Sequence, residues 1–546
     1  MAQTVTDPIY RQADLEQQSY QSDGIICALL MTACLLLGRP FLDMGFVDDW
    51  SYIKTAQVFA ETGHFAYNGW GAVTVGWQAL WGALFVKLLG FSFIHVRLSM
   101  LPVSIASVYL FHQILIRFEI SRANALFGTL VLGLSPVFMA MAASFLTDLP
   151  GLFSTLLCLY LCQRTLAART DPTALAWLSV AIVSNVASGT ARQTGWLGVL
   201  VMVPSTLWLL RSRRGLFWMG GLLWVASVGA VFLTMHWFYQ QPYFIEINSP
   251  HHFGRTAIKQ FLLRNADQGP KAFLCLLLLV LPVLAVWLPL ARSMSRRRFA
   301  WLSLTAVVLL IGALLYAGTH GKLNTWLAPW LLHVIGYMGT PGAGNIPGWH
   351  AAPFGYWQRI PITAFVIGSA LIFFLDLFQR LALRAQESKI SAKLPWRQIL
   401  WLIVPYTIGY MGALSMAAAL IFDRYLLAAQ AVAIILLLGY YQDFVTPQIN
   451  PLGSRSVIGR IPLVSWLVLF LFTCYSVAGI HDWFALDRAR LDAAQEVRRS
   501  GVPRVAIAGG FEYDAWTQLE VGGYINNEGI KNPPDAYHQV PYPKDL

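Results

Sequence analysis

The chain of 546 residues is 57% hydrophobic and only 12% charged, with a mean hydropathy of +0.55, whereas a soluble globular chain carries roughly a quarter charged residues. These figures exclude a soluble protein and describe a polytopic membrane protein, in which 21 Trp and 21 Tyr suit many water–lipid boundaries. The net charge of +11 does not point to a nucleic-acid partner, because Lys and Arg lie in short clusters between apolar runs and form no single basic face.

Residues 1–23 are a polar N-terminal tail, and the apolar run behind it lacks a small-residue cleavage site, so the first span is expected to stay attached. Apolar stretches of about the 20 residues a helix needs to cross hydrocarbon occur at 24–43, 97–116, 123–143, 149–168, 173–190, 194–210, 215–236, 271–291, 299–318, 362–379, 398–421, 426–444 and 461–480. They make about 13 crossings, an odd number that sets the termini on opposite sides. All six cysteines lie in or beside these runs and imply no disulfide framework; Cys158 and Cys162, on one helix face, read as packing residues.

The stretch Trp77–His95 is long enough to cross, yet it carries Lys87 and meets the next span almost without a loop. Charge decides its placement. If it lies along the outer surface, the short connections after residue 116 alternate so that one side gathers 18 basic residues, among them Arg117, Arg122, Arg211, Arg213 and Arg214, and the other gathers eight in far longer loops. The basic side is cytoplasmic by the positive-inside rule, and a crossing at 77–95 would invert every later loop.

The expected architecture is an all-α polytopic protein of the plasma (inner) membrane with a cytoplasmic N-terminus and a transmembrane domain over 24–480. Its first outer loop, 44–96, holds interfacial helices, and further outer loops fall at 144–148, 191–193, 237–270, 319–361 and 422–425. The C-terminal segment, 481–546, is extracytoplasmic. There Trp483–Ser500 has a helical apolar pattern stopped by Gly501, and Arg504–Ala508 is a strand candidate ending at a Gly509-Gly510 turn, so a small α/β unit docked on the outer loops is expected.

Acidic residues collect at the outer ends of the spans: Asp48-Asp49 within Val47-Asp48-Asp49-Trp50-Ser51-Tyr52, and Asp148 just ahead of Leu149-Pro150. Charges at a bilayer are costly and mark function, and neighbouring carboxylates can divide general-base work from positioning or cation binding. Helix capping accounts equally well for Asp49 or Asp148 taken singly. Basic residues at the same face complement the acids. Arg192 and Arg424 lie in tight connections between spans, and their planar forks suit phosphate oxygens, although snorkelling or a local pair of Arg424 with Asp423 explains each alone; Lys322 is a weaker third candidate. His251, His252, His320 and His350 lack metal-site spacing. Asp48, Asp49 and Asp148 offer hard oxygen ligands to magnesium or manganese, and no other cofactor is indicated.

Asp48-Asp49 behind the first span, Tyr52, Thr62-Gly63-His64-Phe65, Leu88-Leu89-Gly90-Phe91-Ser92, Arg97-Leu98-Ser99, Ser135-Pro136 and Phe145-Leu146-Thr147-Asp148 follow in an order and spacing that resembles the GT-C glycosyltransferases. More narrowly, they look like bacterial relatives of the protein O-mannosyltransferases and of the lipid-A aminoarabinose or galacturonic-acid transferases. The likeness is strongest over residues 40–200, with Arg192-Gln193 and Asp423-Arg424-Tyr425-Leu426-Leu427 matching further elements. Two positions depart from the family: the mannosyltransferases usually have Asp-Glu at Asp48-Asp49, and many relatives have a Pro-rich approach to the interfacial helix where this chain has Val75-Gly76-Trp77-Gln78.

The resemblance implies a GT-C fold, a sugar donor linked to a polyprenyl phosphate, and inverting transfer to a lipid, glycan or protein acceptor at the outer membrane surface. Its acidic positions map onto Asp48, Asp49 and Asp148. On that reading Asp48 is the general base, while Asp49 and Asp148 position the acceptor, order the cations or hold a metal. Arg192, Arg424 and Lys322 bind the donor phosphate, and Trp50, Tyr52, Gln193 and Tyr425 contact substrate. A transporter or flippase for lipid-linked sugars would need ionisable residues at mid-span and paired similar halves, and the sequence shows neither clearly. An oligosaccharyltransferase-like ligase would share the outer acidic site and use a longer glycan donor.

Overall fold

The computed structural model describes residues 8–71, 73–244, 255–293, 296–319, 356–384, 394–417, 421–445 and 461–525. The first half of the chain forms α1 (Pro8–Leu37), α2 (Asp49–Thr62), α3 (Gly76–Leu89), α4 (Phe93–Leu98), α5 (Met100–Arg117), α6 (Arg122–Gly133), α7 (Pro136–Ala142), α8 (Asp148–Ala167), α9 (Asp171–Ser188), α10 (Val203–Leu209) and α11 (Arg214–Tyr239). The second half adds α12 (Arg255–Leu279), α13 (Leu281–Leu284), α14 (Leu290–Ser293), α15 (Arg296–Thr319), α16 (Tyr356–Arg384), α17 (Trp396–Ala417), α18 (Leu427–Tyr440), α19 (Leu463–Arg499) and α20 (Phe511–Gly522). Among the described residues there is no strand.

Among the described residues seven helices are long and apolar enough to cross a membrane, and up to nine spans result if each of two bent pairs is one. The expected count of about 13 is not reached by that measure, although each of the stretches read from the sequence holds helix. Both bends lie next to proline. Pro136 has no N–H to give back to α6, and the Ser135 hydroxyl instead caps the new helix by accepting from Phe138 N at 3.2 Å, so α6 and α7 meet at 60°. Pro282 stands just past the 67° bend between α12 and α13.

Helix α3 has 14 residues, about 21 Å at 1.5 Å per residue, too short for hydrocarbon about 30 Å thick. It is stapled to the ends of its neighbours: Trp77 N donates to Thr190 Oγ1 (2.9 Å), Trp77 Nε1 to Ser188 O (2.6 Å), and Gln78 Nε2 to Phe145 O (2.8 Å). The loops at 144–148 and 191–193 therefore lie at the same end of the molecule as α3.

Helix α19 runs unbroken for 37 residues, about 55 Å, so the last span and the Trp483–Ser500 helix are one rod that carries the C-terminal segment out of the bundle. Gly501, at φ 97°, follows its end. The expected strand at 504–508 is absent: Arg504–Ala506 is a single 3₁₀ turn with no neighbouring strand to complete a ladder, and the described part of the segment is helical. It does dock on the first outer loop. Trp516 packs on Phe91 and Phe93 at 5.7 and 4.6 Å, and Ile525 N donates to Asn68 O at 3.1 Å.

Candidate active site

The first outer loop turns into α2 through Val47, a β-branched residue held at φ 54°, a conformation that costs of order 1–3 kcal/mol and survives only where its surroundings enforce it. The enforcing bonds come from Asp49. Its Oδ1 accepts from Phe46 N (2.7 Å) and Arg97 Nη2 (3.1 Å), and its Oδ2 from Arg97 Nε (2.7 Å) and Phe145 N (3.2 Å). Arg97 spends its remaining fork on the carbonyls of Leu42 and Met44 at 2.8 and 2.5 Å. Asp49 is wholly buried and Arg97 is 5% exposed. Asp49 is thus a structural anchor and not a catalytic group, because both of its oxygens are consumed inside the protein. Trp50 is likewise wholly enclosed, with Trp70 and Phe511 at 5.5 and 5.8 Å, so the expected substrate contact is corrected to a core role.

Asp48, one residue earlier, faces the other way. Its Oδ1 accepts from Trp70 Nε1 at 3.1 Å and its Oδ2 from Arg424 Nη2 at 3.0 Å, and its side chain keeps 18% exposure. Arg424 comes from the 3₁₀ turn Asp423–Leu426 ahead of α18, and its Nε stands 3.7 Å from Asp148 Oδ2. Asp148 Oδ1 accepts from Arg192 Nη1 at 2.5 Å, and Arg192 also reaches Thr147 Oγ1 at 3.4 Å. Neither Asp49 nor Asp148 caps its helix. Asp148 lies instead in the first turn of α8, where the helix dipole favours its charge. Tyr425 stands beside both guanidiniums, with Arg192 at 4.6 Å and Arg424 at 5.5 Å from its ring, and its carbonyl accepts from Tyr410 at 2.7 Å.

The alternation Asp48, Arg424, Asp148, Arg192 joins four segments and neutralises four charges in pairs. It brings Asp48 and Asp148 to one end of the molecule, where Arg424 reaches both. Beside the pairs lies a narrow cleft between α8, α17 and α18, lined by Asp148, Gly151, Leu152, Thr155, Arg192, Thr194, Tyr410, Arg424, Leu427 and Ala428. The buried Nε–H of Arg424 makes no hydrogen bond among the described residues. Gly151 keeps room for Arg192, whose Cδ would stand 3.3 Å from any Cβ there.

Tyr52 lies one turn past Asp48 on α2. Burial pushes its hydroxyl's pKa up, and Asp48 adds to that while Arg424 opposes it, so it stays protonated beside the site. Burial opposes the charge of Arg192, but Asp148 outweighs it and the net shift is upward. Gln193 is half-buried in the 3₁₀ turn that follows Arg192, and Lys322 lies outside the described residues. A divalent cation held jointly by Asp48, Asp49 and Asp148 does not fit: Asp49 faces Arg97, the other two face arginines, and among the described residues no three acidic, histidine or cysteine side chains converge. The sequence places Arg97 in a motif but does not reveal its pairing with Asp49, nor the bond of Trp70 to Asp48. A lone arginine between two apolar stretches was the available signal for the first, whereas Trp70 sits in a loop and carried none.

No protein-family model matches the chain, and no curated protein does. Among solved structures, the chain is similar to the Archaeoglobus fulgidus oligosaccharyltransferase AglB in complex with an inhibitory peptide and a dolichol-phosphate (11% identity, 97% of this chain and 62% of that one, TM-score 0.42). It is also similar to ArnT from Cupriavidus metallidurans bound to undecaprenyl phosphate (14% identity, 87% and 81%, TM-score 0.38). A third is the S. cerevisiae protein O-mannosyltransferase Pmt1-Pmt2 complex bound to the sugar donor (14% identity, 40% of this chain, TM-score 0.34), of which the chain spans 33%.

Proposed function

We propose that the protein is a membrane glycosyltransferase that moves a monosaccharide from a polyprenyl-phosphate donor to a hydroxyl of a lipid, glycan or protein at the outer face of the plasma membrane. The observation that carries this reading is the convergence of two guanidiniums and two carboxylates beside a cleft that Leu152, Leu427 and Ala428 also line. Two guanidiniums at such a site suit the phosphate of an anionic lipid head, with Arg192 and Arg424 as its partners. The ordered motifs of residues 40–200 supply the sugar.

The chemistry follows from the groups present. The acceptor hydroxyl gives its proton to Asp48 as its oxygen attacks the anomeric carbon; the bond from that carbon to the phosphate oxygen breaks and its electron pair leaves on the phosphate. A phosphate leaving group needs charge stabilisation more than protonation, and Arg192 and Arg424, partly desolvated, provide it. Tyr52, protonated one turn past Asp48, is the proposed donor of a hydrogen bond to an acceptor or a sugar oxygen. Mass spectrometry of lipids that copurify with the protein tests the reading: a monosaccharide-phosphate polyprenol supports it, a pyrophosphate-linked glycan points to a ligase, and neither species removes it.

A further inference from the structure

Asp48 is held by two bonds of different kinds. Arg424, on one oxygen, is shared with Asp148 and is the group a donor phosphate would draw upon. Trp70, on the other oxygen, lies in the loop between α2 and α3 with no helix to fix it. What fixes it is packing: its ring lies 5.5 Å from Trp50 and 5.3 Å from Phe511, the first residue of α20. We infer that the C-terminal segment is a working part of the site, with Trp70 and Phe511 as positioning residues for Asp48. The catalytic half of this inference rests on Asp48 being the base.

The position of Phe511 is itself over-determined. Arg490, from α19, donates to Gly509 O and Glu512 Oε2, both at 3.2 Å, and to Asp487 Oδ1 at 2.9 Å. Gly510 sits at φ 95°, and a Cβ there would run into the Arg490 guanidinium. The Gly509-Gly510 pair therefore does more than reverse the chain: it lets an arginine pass against the turn and start α20 with Phe511 facing Trp70. A purely apolar role for these contacts would be met by phenylalanine at position 70. It does not require the indole N–H aimed at Asp48.

The test uses the full chain in lipid nanodiscs, assayed for turnover of synthetic decaprenyl-phosphate-linked sugars, with Trp70→Phe, Phe511→Ala, the double variant and Phe511→Tyr. Trp70→Phe removes one hydrogen bond to a carboxylate, which is expected to lower kcat about tenfold with the donor KM unchanged. Phe511→Ala is expected to lower kcat alike, the double variant no further, and Phe511→Tyr to restore it. Multiplying losses, or a raised KM at unchanged kcat, overturn the inference. If the wild-type protein turns over none of the sugars, the proposed function fails separately, and the link from tail to loop is then read by thermal unfolding. Coupling between the Trp70 and Phe511 substitutions in that cycle supports the link; additivity overturns it.

Discussion

Arg424 Nη2 lies 3.0 Å from Asp48 Oδ2 across 376 positions of the chain, closing the first outer loop onto the turn ahead of α18. The same guanidinium reaches towards Asp148, 3.7 Å from its Nε, so a planar fork spans two carboxylates. Lysine supplies the charge but only a single point of contact. Arg424→Lys is expected to lower transfer by about 10–100-fold with a raised donor KM. Arg424→Met leaves Asp48 to Trp70 and Asp148 to Arg192, and is expected to cost about 1–3 kcal/mol of stability. Steady-state kinetics and thermal unfolding of the two variants check both, and equal activity in all three proteins would remove Arg424 from the phosphate site.

Adjacent aspartates have opposite duties. Asp48→Asn should leave folding and membrane insertion near wild type and abolish transfer, because Asp48 is partly exposed and its loss strands no buried charge that lacks another partner. Asp49→Asn leaves Arg97, 5% exposed, without its carboxylate, which is expected to destabilise the protein by about 3–5 kcal/mol and to reduce its yield. A folded, inactive Asp49 variant alongside an active Asp48 variant would exchange the two assignments.

The sequence exposes Asp48, Asp148, Arg192 and Arg424 because each is a charge at the end of an apolar run, and such charges are rare enough to single out. The sequence suggests Asp49 as a second site carboxylate and Trp50 as a substrate contact, whereas both side chains are buried in the structure. Successive residues at a helix start point about 100° apart, so the neighbours of a functional side chain face the core. That distinction depends on Arg97, whose partner is 48 positions away, and no local pattern reports it. The helices were legible from periodicity and length, whereas the tail was not: among the described residues its strand candidate has no second strand to pair with, which no local pattern reports.

Orientation is testable without substrate. With native cysteines replaced, a single cysteine at the exposed His64 of the first outer loop or at Arg499 at the end of α19 should react with a membrane-impermeant maleimide on intact cells. One at Asp171, the exposed start of α9, should react only after permeabilisation. Labelling of Asp171→Cys in intact cells together with His64→Cys would break the assignment of sides.

The docked tail should respond to pH through Glu512. Its carboxyl is pushed up to about 7, first by burial and then by Asp487, while Arg490 opposes the shift. Asp487 and Arg490 face it from α19, Gly45 and Trp50 close over it from the first loop, and Arg97 and Asp49 act on Asp487 from behind. Since the docked value lies above the ordinary 4.5, the docked state holds a proton that the undocked state releases. Its contribution to docking is fully present below about pH 4.5 and is lost as pH rises through about 7. Amide exchange over 511–522, corrected for its intrinsic pH dependence, should therefore be faster at about pH 8.5 than at about pH 5.5. Glu512→Gln, which keeps an acceptor for Arg490 and cannot ionise, should flatten that difference. Equal protection of the wild-type segment at both pH values would show that Glu512 does not titrate in the docked state.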